Sequence, residues 1–175
     1  MSDRLARINL ETATPEQVAV AASLGEGRGR VPTTYQVWLH HPALAEGMER
    51  VGTPLKQSEA LNEAEKEVAI LATAVFWNAP YVTANHTRHA AKAGLSEEVI
   101  AAILAKRRVE GVPGRLGVVC DAVADILGGA LIGDAAFERY AAELGRAAIA
   151  ELLVTIGYYS SVALAMSFHG MEPKA

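Results

Sequence analysis

Apolar residues recur along the chain at the three- and four-residue spacing of helices, and no segment alternates convincingly as a strand would. Capping signals mark two helix starts: Thr14 precedes Gln17 by three residues, and Asn62 precedes an acidic first turn. Gly94 is predicted to end the helix that begins at about Pro80. The pattern predicts an all-α protein of about eight helices.

Two segments of the pattern are strongly apolar. Val68–Trp77 is apolar on nearly all sides, which is typical of a buried helix. Asn78 interrupts that run, and Pro80 begins the next helix because proline suits a first helical turn. The second apolar segment, residues 147–168, is predicted as a long helix near the C-terminus.

The end of the chain is predicted as two helices. Asp134 caps the first, which runs to Leu144, and Gly145 separates it from the second. The length of 175 residues suits one domain. Within it we expect an N-terminal helical segment, residues 1–58, to pack on a core formed by residues 59–175.

Composition and charge exclude several classes of protein. The formal net charge is −4 and no basic run is long, so a nucleic-acid partner is not expected. Cys120 is the only cysteine, so the chain can form neither an internal disulfide nor a dithiol redox pair. No targeting signal is recognised, and Val68–Trp77 is too short to span a membrane. We therefore expect a cytoplasmic protein without a membrane partner.

The junction between the two central helices carries candidate chemistry. If the helices on either side of Asn78 pack antiparallel, Glu67 and His86 can meet in the interior. A buried carboxylate requires a partner, and it would orient the imidazole as a general acid or base. Tyr81, in the first turn of the second helix, could donate a hydrogen bond to an oxyanion.

Simpler alternatives remain open for these residues. His86 could be a hydrogen-bonded core histidine, and Glu67 an exposed charge at a helix start. The glycine-rich loop over residues 25–32 carries Arg28 and Arg30, which either converge on a carboxylate or belong to a solvated turn. Tyr158 and Tyr159 are more typical of a core or an interface than of catalysis.

Four segments of the chain also carry a family resemblance: Gly27–Arg30 with Leu39–Leu44, Glu65–Leu71, Tyr81–Glu98, and Glu151–Tyr159 with Gly170–Pro173. In this order they resemble the carboxymuconolactone decarboxylase family, which includes the AhpD-type antioxidant proteins. The resemblance implies an AhpD-like helical bundle and a homo-oligomer, either a trimer, a hexamer or a dimer. It also implies a small-molecule carboxylate or lactone as the substrate.

Seven residues follow from the resemblance as candidates: His86, Glu67 and Tyr81 as catalytic residues, and Arg28, Arg30, Arg88 and His89 as substrate-binding residues. Arg88 could equally pair with a neighbouring acid on the helix surface. The implied reaction is loss of carbon dioxide from a carboxylated unsaturated lactone by acid–base chemistry. It requires no organic cofactor, and the sequence offers no obvious metal site.

Two departures from the family pattern bear on function. The AhpD-like branch carries a CxxC motif before the histidine, but Ala79 and Val82 stand at those positions. The chain is therefore not expected to be a thiol peroxidase. Val82 and Thr83 also replace the acid and the aromatic residue usual in the decarboxylase-like branch. Three functions stay open: a lyase, an isomerase or cyclase acting by proton transfer, and a non-catalytic binding protein.

Overall fold

The computed structural model describes residue 4 and residues 7–26, 29–129 and 131–173. These residues form helices and connecting loops, with no strand among them. The helices are α1 (Pro15–Gly25), α2 (Thr33–Trp38), α3 (Pro42–Gln57), α4 (Glu63–Phe76), α5 (Pro80–Lys92), α6 (Glu97–Leu104), α7 (Gly114–Leu127) and α8 (Asp134–Phe168). The predicted all-α fold is confirmed.

Local signals in the sequence begin most of these helices. Thr14 and Gln17 form a reciprocal capping box at α1, and Asn62 forms one with Glu65 at α4. Both boxes satisfy backbone N–H groups that a helix leaves unpaired in its first turn. Gly94, at φ 88°, follows α5 in the left-handed conformation that glycine adopts without strain.

The C-terminal helix differs from its prediction in one respect. Asp134 is the first helical residue of α8, and the cap is Gly133, which offers no side-chain hydrogen bond. The predicted break at Gly145 is present as a non-helical bend, with φ 78° and ψ 162°. Glycine tolerates this backbone conformation, so the helix changes direction there and resumes without a loop.

Helix α4 is the centre of the fold and packs against α5, α6, α7 and α8. Its apolar side chains, among them Val68 and Leu71, lie in the main hydrophobic cluster. The predicted burial of this helix holds for most of Val68–Trp77, but Phe76 and Trp77 at its end are exposed. The helix leaves the core there, as the chain turns towards Pro80.

Three consecutive charged residues are buried in the first turns of α4. Glu65 accepts a hydrogen bond from Arg115 Nε of α7 at 2.9 Å, and the same guanidinium also donates to backbone carbonyls. Lys66 Nζ donates to Ser58 O at 2.6 Å and lies 3.8 Å from the buried carboxylate of Glu151 on α8. Glu67 points into a cavity. Each charge thus ties α4 to a different neighbour, as burial of charge requires.

The N-terminal helices pack on this bundle with a small core of their own. Val20 and Leu24 of α1 meet Tyr35 and Leu39 from the α2 region in a separate hydrophobic cluster. Both α2 and α3 also contact α8. The N-terminal helices therefore supply one wall of the space in front of Glu67.

One helix within the described ranges, α8, is long and apolar enough to cross a membrane by length and composition. Core helices of soluble proteins pass the same test, and α8 packs against α4, α5 and α7 in this bundle. Val68–Trp77, the apolar segment considered from the sequence, is too short to span a membrane, whereas α8 reaches the necessary length. The length and composition of α8 alone therefore do not show whether it crosses a membrane.

The buried Glu65 gives the first testable prediction. Arg115→Met should lower the free energy of unfolding by about 3 kcal/mol, because it leaves a buried carboxylate unpaired. Urea unfolding followed by circular dichroism measures the change. Arg107→Met is the matched control, since Arg107 is exposed, and its effect should stay within about 0.5 kcal/mol. Equal effects of the two substitutions would contradict a structural role for the Glu65–Arg115 pair.

Candidate active site

A cavity of about 510 Å³ opens between α2, α3, α4, α5, α8 and the segment that leads into α2. Its lining combines tyrosines, histidines, carboxylates and cations with apolar side chains such as Ile70 and Val162. A concave, partly apolar space with a few converging polar groups is the usual form of a small-molecule site. Five of the seven sequence-predicted residues lie on it: Glu67, Tyr81, His86, His89 and Arg30.

The structure brings Glu67 and His86 together at the cavity wall. His86 Nδ1 donates to Glu67 Oε2 at 2.9 Å, since a carboxylate can only accept. The side chains are 15% and 8% exposed, respectively, so the contact is largely shielded from water. Because Nδ1 is engaged, Nε2 is the ring nitrogen that remains for another partner.

A tight turn sets the register of this pair. Asn78 adopts a positive φ of 50°, and its side chain accepts a hydrogen bond from Lys106 Nζ at 2.9 Å. Pro80 then begins α5, which packs along α4. Asparagine tolerates the left-handed conformation better than most residues. The local sequence at the turn therefore positions two residues that are nineteen positions apart.

His89 faces the same carboxylate from one helical turn further along α5. Its Nδ1 lies 3.9 Å from Glu67 Oε1, and its side chain is 65% exposed at the cavity rim. The rings of His86 and His89 are 5.2 Å apart between centroids. The ligand-type atoms of Glu67, His86 and His89 all lie within 4.8 Å of one another. The sequence analysis did not foresee this group as one that could hold a metal ion.

Tyrosines form much of the remaining wall. Tyr81 is partly buried in the first turn of α5 and lines the cavity. The edge-on ring of Tyr159 lies 5.2 Å from the His86 ring, and burial raises the pKa of its hydroxyl above the ordinary value. Tyr35 and Tyr158 share a hydrogen bond of 2.9 Å between their hydroxyls. Tyr158 and Tyr159 pack against a hydrophobic cluster, as expected of core residues, and both also line the cavity.

Basic side chains line the cavity, but only some of the predicted arginines are among them. Arg30 is exposed at the rim of the cavity and pairs with no other described side chain. Lys56 of α3 is likewise exposed, lines the cavity and pairs with no other described side chain. Arg88 is not among the lining residues; it is exposed and donates to Asn85 Oδ1 on its own helix. Arg28 lies outside the described residues. Lys56 was missed because nothing local in the sequence links α3 to this space.

The two positions that would carry the cysteines of a CxxC motif cannot support thiol redox chemistry. Ala79 and Val82 are buried and have no thiol. Cys120 lies on α7 in the main core, and burial raises the pKa of its thiol to about 11. A neutral, enclosed thiol is a poor nucleophile. The pair of Glu67 and His86 therefore stands without a cysteine to activate.

Comparison with known families assigns the central part of this architecture. Residues 42–113 match the model of the carboxymuconolactone decarboxylase family. This segment runs from the start of α3 past the end of α6, and it contains Glu67, Tyr81, His86 and His89. The match supports the assignment of this segment to the carboxymuconolactone decarboxylase family. No curated protein matches the chain.

The family match confirms part of the resemblance found in the sequence. It supports a role of the decarboxylase or AhpD type at the level of the family. The resemblance of the arginine loop and of the C-terminal helix falls outside residues 42–113 and stays a prediction. Much of the cavity wall, including Arg30 and Tyr159, therefore comes from the unmatched parts of the chain.

The wall of the cavity gives a second prediction, at Gly52 of α3. A Cβ atom there would lie 2.6 Å from Tyr158 Oη and 3.1 Å from Tyr35 Oη. We expect Gly52→Ala to separate the two hydroxyls and to cost roughly 1–3 kcal/mol of stability through overpacking. Thermal unfolding and the tyrosine absorbance spectrum measure the effect.

Gly47, five residues earlier in α3, is the matched control, because its Cβ would meet nothing within 4 Å. Gly47→Ala should raise stability by up to about 1 kcal/mol, since alanine favours the helix more than glycine does. If Gly52→Ala also stabilised the protein, Tyr158 and Tyr35 would not be held at this position.

Proposed function

We propose that this protein is a lyase that removes carbon dioxide from a carboxylated, unsaturated lactone or a related carbonyl compound. The observation that supports it is the shielded contact of 2.9 Å between His86 Nδ1 and Glu67 Oε2 at the wall of the cavity. A histidine oriented by a carboxylate is a competent general acid and base near neutral pH. The family match makes this reaction the leading one.

Substrate carboxylates would bind to the cations at the rim. Arg30 and Lys56 are exposed and lack partners among the described side chains, so an anion would not have to displace an existing ion pair. Lys66 also lines the cavity, but Ser58, Glu63 and Glu151 surround its ammonium group. We therefore assign carboxylate binding to Arg30 and Lys56 rather than to Lys66 or Arg88.

The reaction would proceed by bond cleavage followed by protonation. The bond between the ring carbon and the departing carboxylate breaks, and carbon dioxide leaves. The electron pair passes through the conjugated alkene to the lactone carbonyl oxygen, which becomes an enolate. His86 Nε2 then delivers a proton to carbon, while Glu67 holds the imidazole in position. A solvent proton restores His86, so each turnover consumes one proton.

The enolate oxygen needs donors where its charge develops. Tyr81 lies in the first turn of α5, where backbone N–H groups have no partner within the helix. The raised pKa of Tyr159 keeps its hydroxyl protonated, and its ring contacts that of His86. Both hydroxyls are donors on the same wall as His86. The proposed steps use protein groups alone, and we expect them to occur in the cytoplasm.

Substitution of His86 tests the proposed chemistry directly. His86→Ala should lower kcat for a carboxymuconolactone by a factor of about 10²–10⁴, the usual contribution of a general acid or base. Glu67→Gln should lower kcat more than it raises KM, because it affects orientation rather than binding. Carbon dioxide release and substrate absorbance measure turnover, with the fold checked by circular dichroism.

Lys92→Ala on the same helix is the control, since Lys92 is exposed and does not line the cavity; it should leave kcat unchanged. Turnover that survives His86→Ala would refute the acid–base assignment. Turnover that conserves the carboxylate would instead indicate an isomerase or cyclase.

We also propose that the protein assembles as a homo-oligomer. Leu153, Leu164 and Phe168 are exposed on α8, at spacings of eleven and four residues that place them on one helical face. Large exposed apolar side chains on one helical face are a common feature of interaction sites. A second copy of the chain is the partner that we expect to cover it.

Multi-angle light scattering tests this proposal. The mass should be a multiple of the 18.5 kDa chain, and Leu164→Glu should shift it towards the monomer by placing a charge in the apolar contact. Leu10→Glu, which changes an exposed leucine outside α8, should leave the mass unchanged. A monomeric wild-type protein would contradict the proposal.

A further inference from the structure

Both oxygens of the Glu67 carboxylate face an imidazole. Oε2 lies 2.9 Å from His86 Nδ1, and Oε1 lies 3.9 Å from His89 Nδ1. A single hydrogen-bonded pair would account for the first contact but not for the second histidine. From this geometry we propose that Glu67, His86 and His89 form a binding site for a divalent transition-metal ion, with Zn²⁺ as the best fit.

The distances between the ligand atoms are close to those of a zinc site, so small side-chain movements would bring the three groups into coordination. Ligand atoms about 2.0–2.2 Å from a zinc ion lie roughly 3.4 Å from one another in a tetrahedron. The three groups already offer atoms within 4.8 Å of one another. His89 is the loosest member, with a side chain that is 65% exposed, so rotation of its ring can shorten the longer contact.

The chemistry of the three donors favours zinc over magnesium or calcium. Two neutral imidazoles and one carboxylate are typical ligands of Zn²⁺, whereas Mg²⁺ and Ca²⁺ prefer sites built from oxygen alone. His86 and His89 are three residues apart on α5 and so project from one face of the helix. Glu67 comes from α4, so the site joins two helices.

The position of the site leaves room for a further ligand. Three protein ligands fill three of four tetrahedral positions, and all three residues line the cavity. The fourth position would face that space, as in zinc sites that bind an exchangeable water or a substrate oxygen. Glu63, another lining carboxylate, adds negative charge on the same wall.

Metal binding and the proposed acid–base pair exclude each other in one molecule. A metal ion on His86 Nδ1 would take the place of the proton shared with Glu67, so the histidine would lose its orienting hydrogen bond. The inference does not rest on the proposed lyase activity, because the ion can be titrated in the absence of any substrate. If the lyase activity is also present, added Zn²⁺ should inhibit it.

The test is a calorimetric titration of tag-free, metal-stripped protein with Zn²⁺ and, separately, with Mg²⁺. We expect one Zn²⁺ per chain, no measurable Mg²⁺ binding, and a rise in the unfolding temperature on zinc addition. Co²⁺ should give the intense visible absorption of a four-coordinate site. Elemental analysis after dialysis fixes the stoichiometry.

Three variants locate the ion. His89→Ala and Glu67→Gln should each weaken Zn²⁺ binding at least tenfold, because each removes a ligand. His41→Ala, which removes an exposed imidazole that does not line the cavity, should bind as the wild type does. His89 is exposed, so its loss should leave the helical spectrum intact and the titration interpretable.

Three outcomes would overturn the proposal. If the wild type shows no zinc binding, the three side chains form a hydrogen-bonded group only. Zinc binding that survives His89→Ala, or that is lost in His41→Ala, would place the ion elsewhere. None of these results depends on turnover, so they leave the His86→Ala kinetic test of the lyase unaffected.

Discussion

Three adjacent buried charges at the start of α4 constrain the rest of the structure. Glu65, Lys66 and Glu67 are each less than a tenth exposed, although charged groups are costly to bury without partners. Successive residues on a helix point about 100° apart, so one neighbour cannot satisfy all three. Arg115 of α7 pairs with the first charge, Glu151 of α8 lies beside the second, and His86 of α5 binds the third. The fold is the arrangement of helices that supplies all three partners.

The candidate site depends on the same constraint. Glu65 lies away from the cavity, and Lys66 lines it with its ammonium group held by Ser58, Glu63 and Glu151. Glu67 lines the same cavity and pairs with His86. Its carboxylate is therefore both paired and accessible to a small molecule. That combination gives His86 a fixed orientation and leaves its second ring nitrogen for another partner. It also places His89 where a metal ion could bind in place of the proton shared by His86 and Glu67.

The absence of cysteine beside this pair determines which chemistry it can support. In the AhpD-like branch of the family that the sequence resembles, a CxxC motif stands before the histidine. Here Ala79 and Val82 occupy those positions, and the thiol of Cys120 is enclosed in the core. The remaining groups can move a proton or bind a cation, but they cannot exchange a disulfide. The same arrangement of helices can therefore support a reaction other than disulfide exchange.

Short-range signals in the sequence determined the helices and the central pair. Capping residues, Pro80 and the apolar periodicity act within a few positions of one another, and the tight turn at Asn78 makes the meeting of Glu67 and His86 nearly local. Only the tertiary structure decided what surrounds that pair. Arg30, Lys56 and Tyr159 reach the cavity from distant segments, whereas Arg88, on the same helix as His86, does not. Their placement depends on how whole helices pack, and packing is set by contacts between segments far apart in the chain.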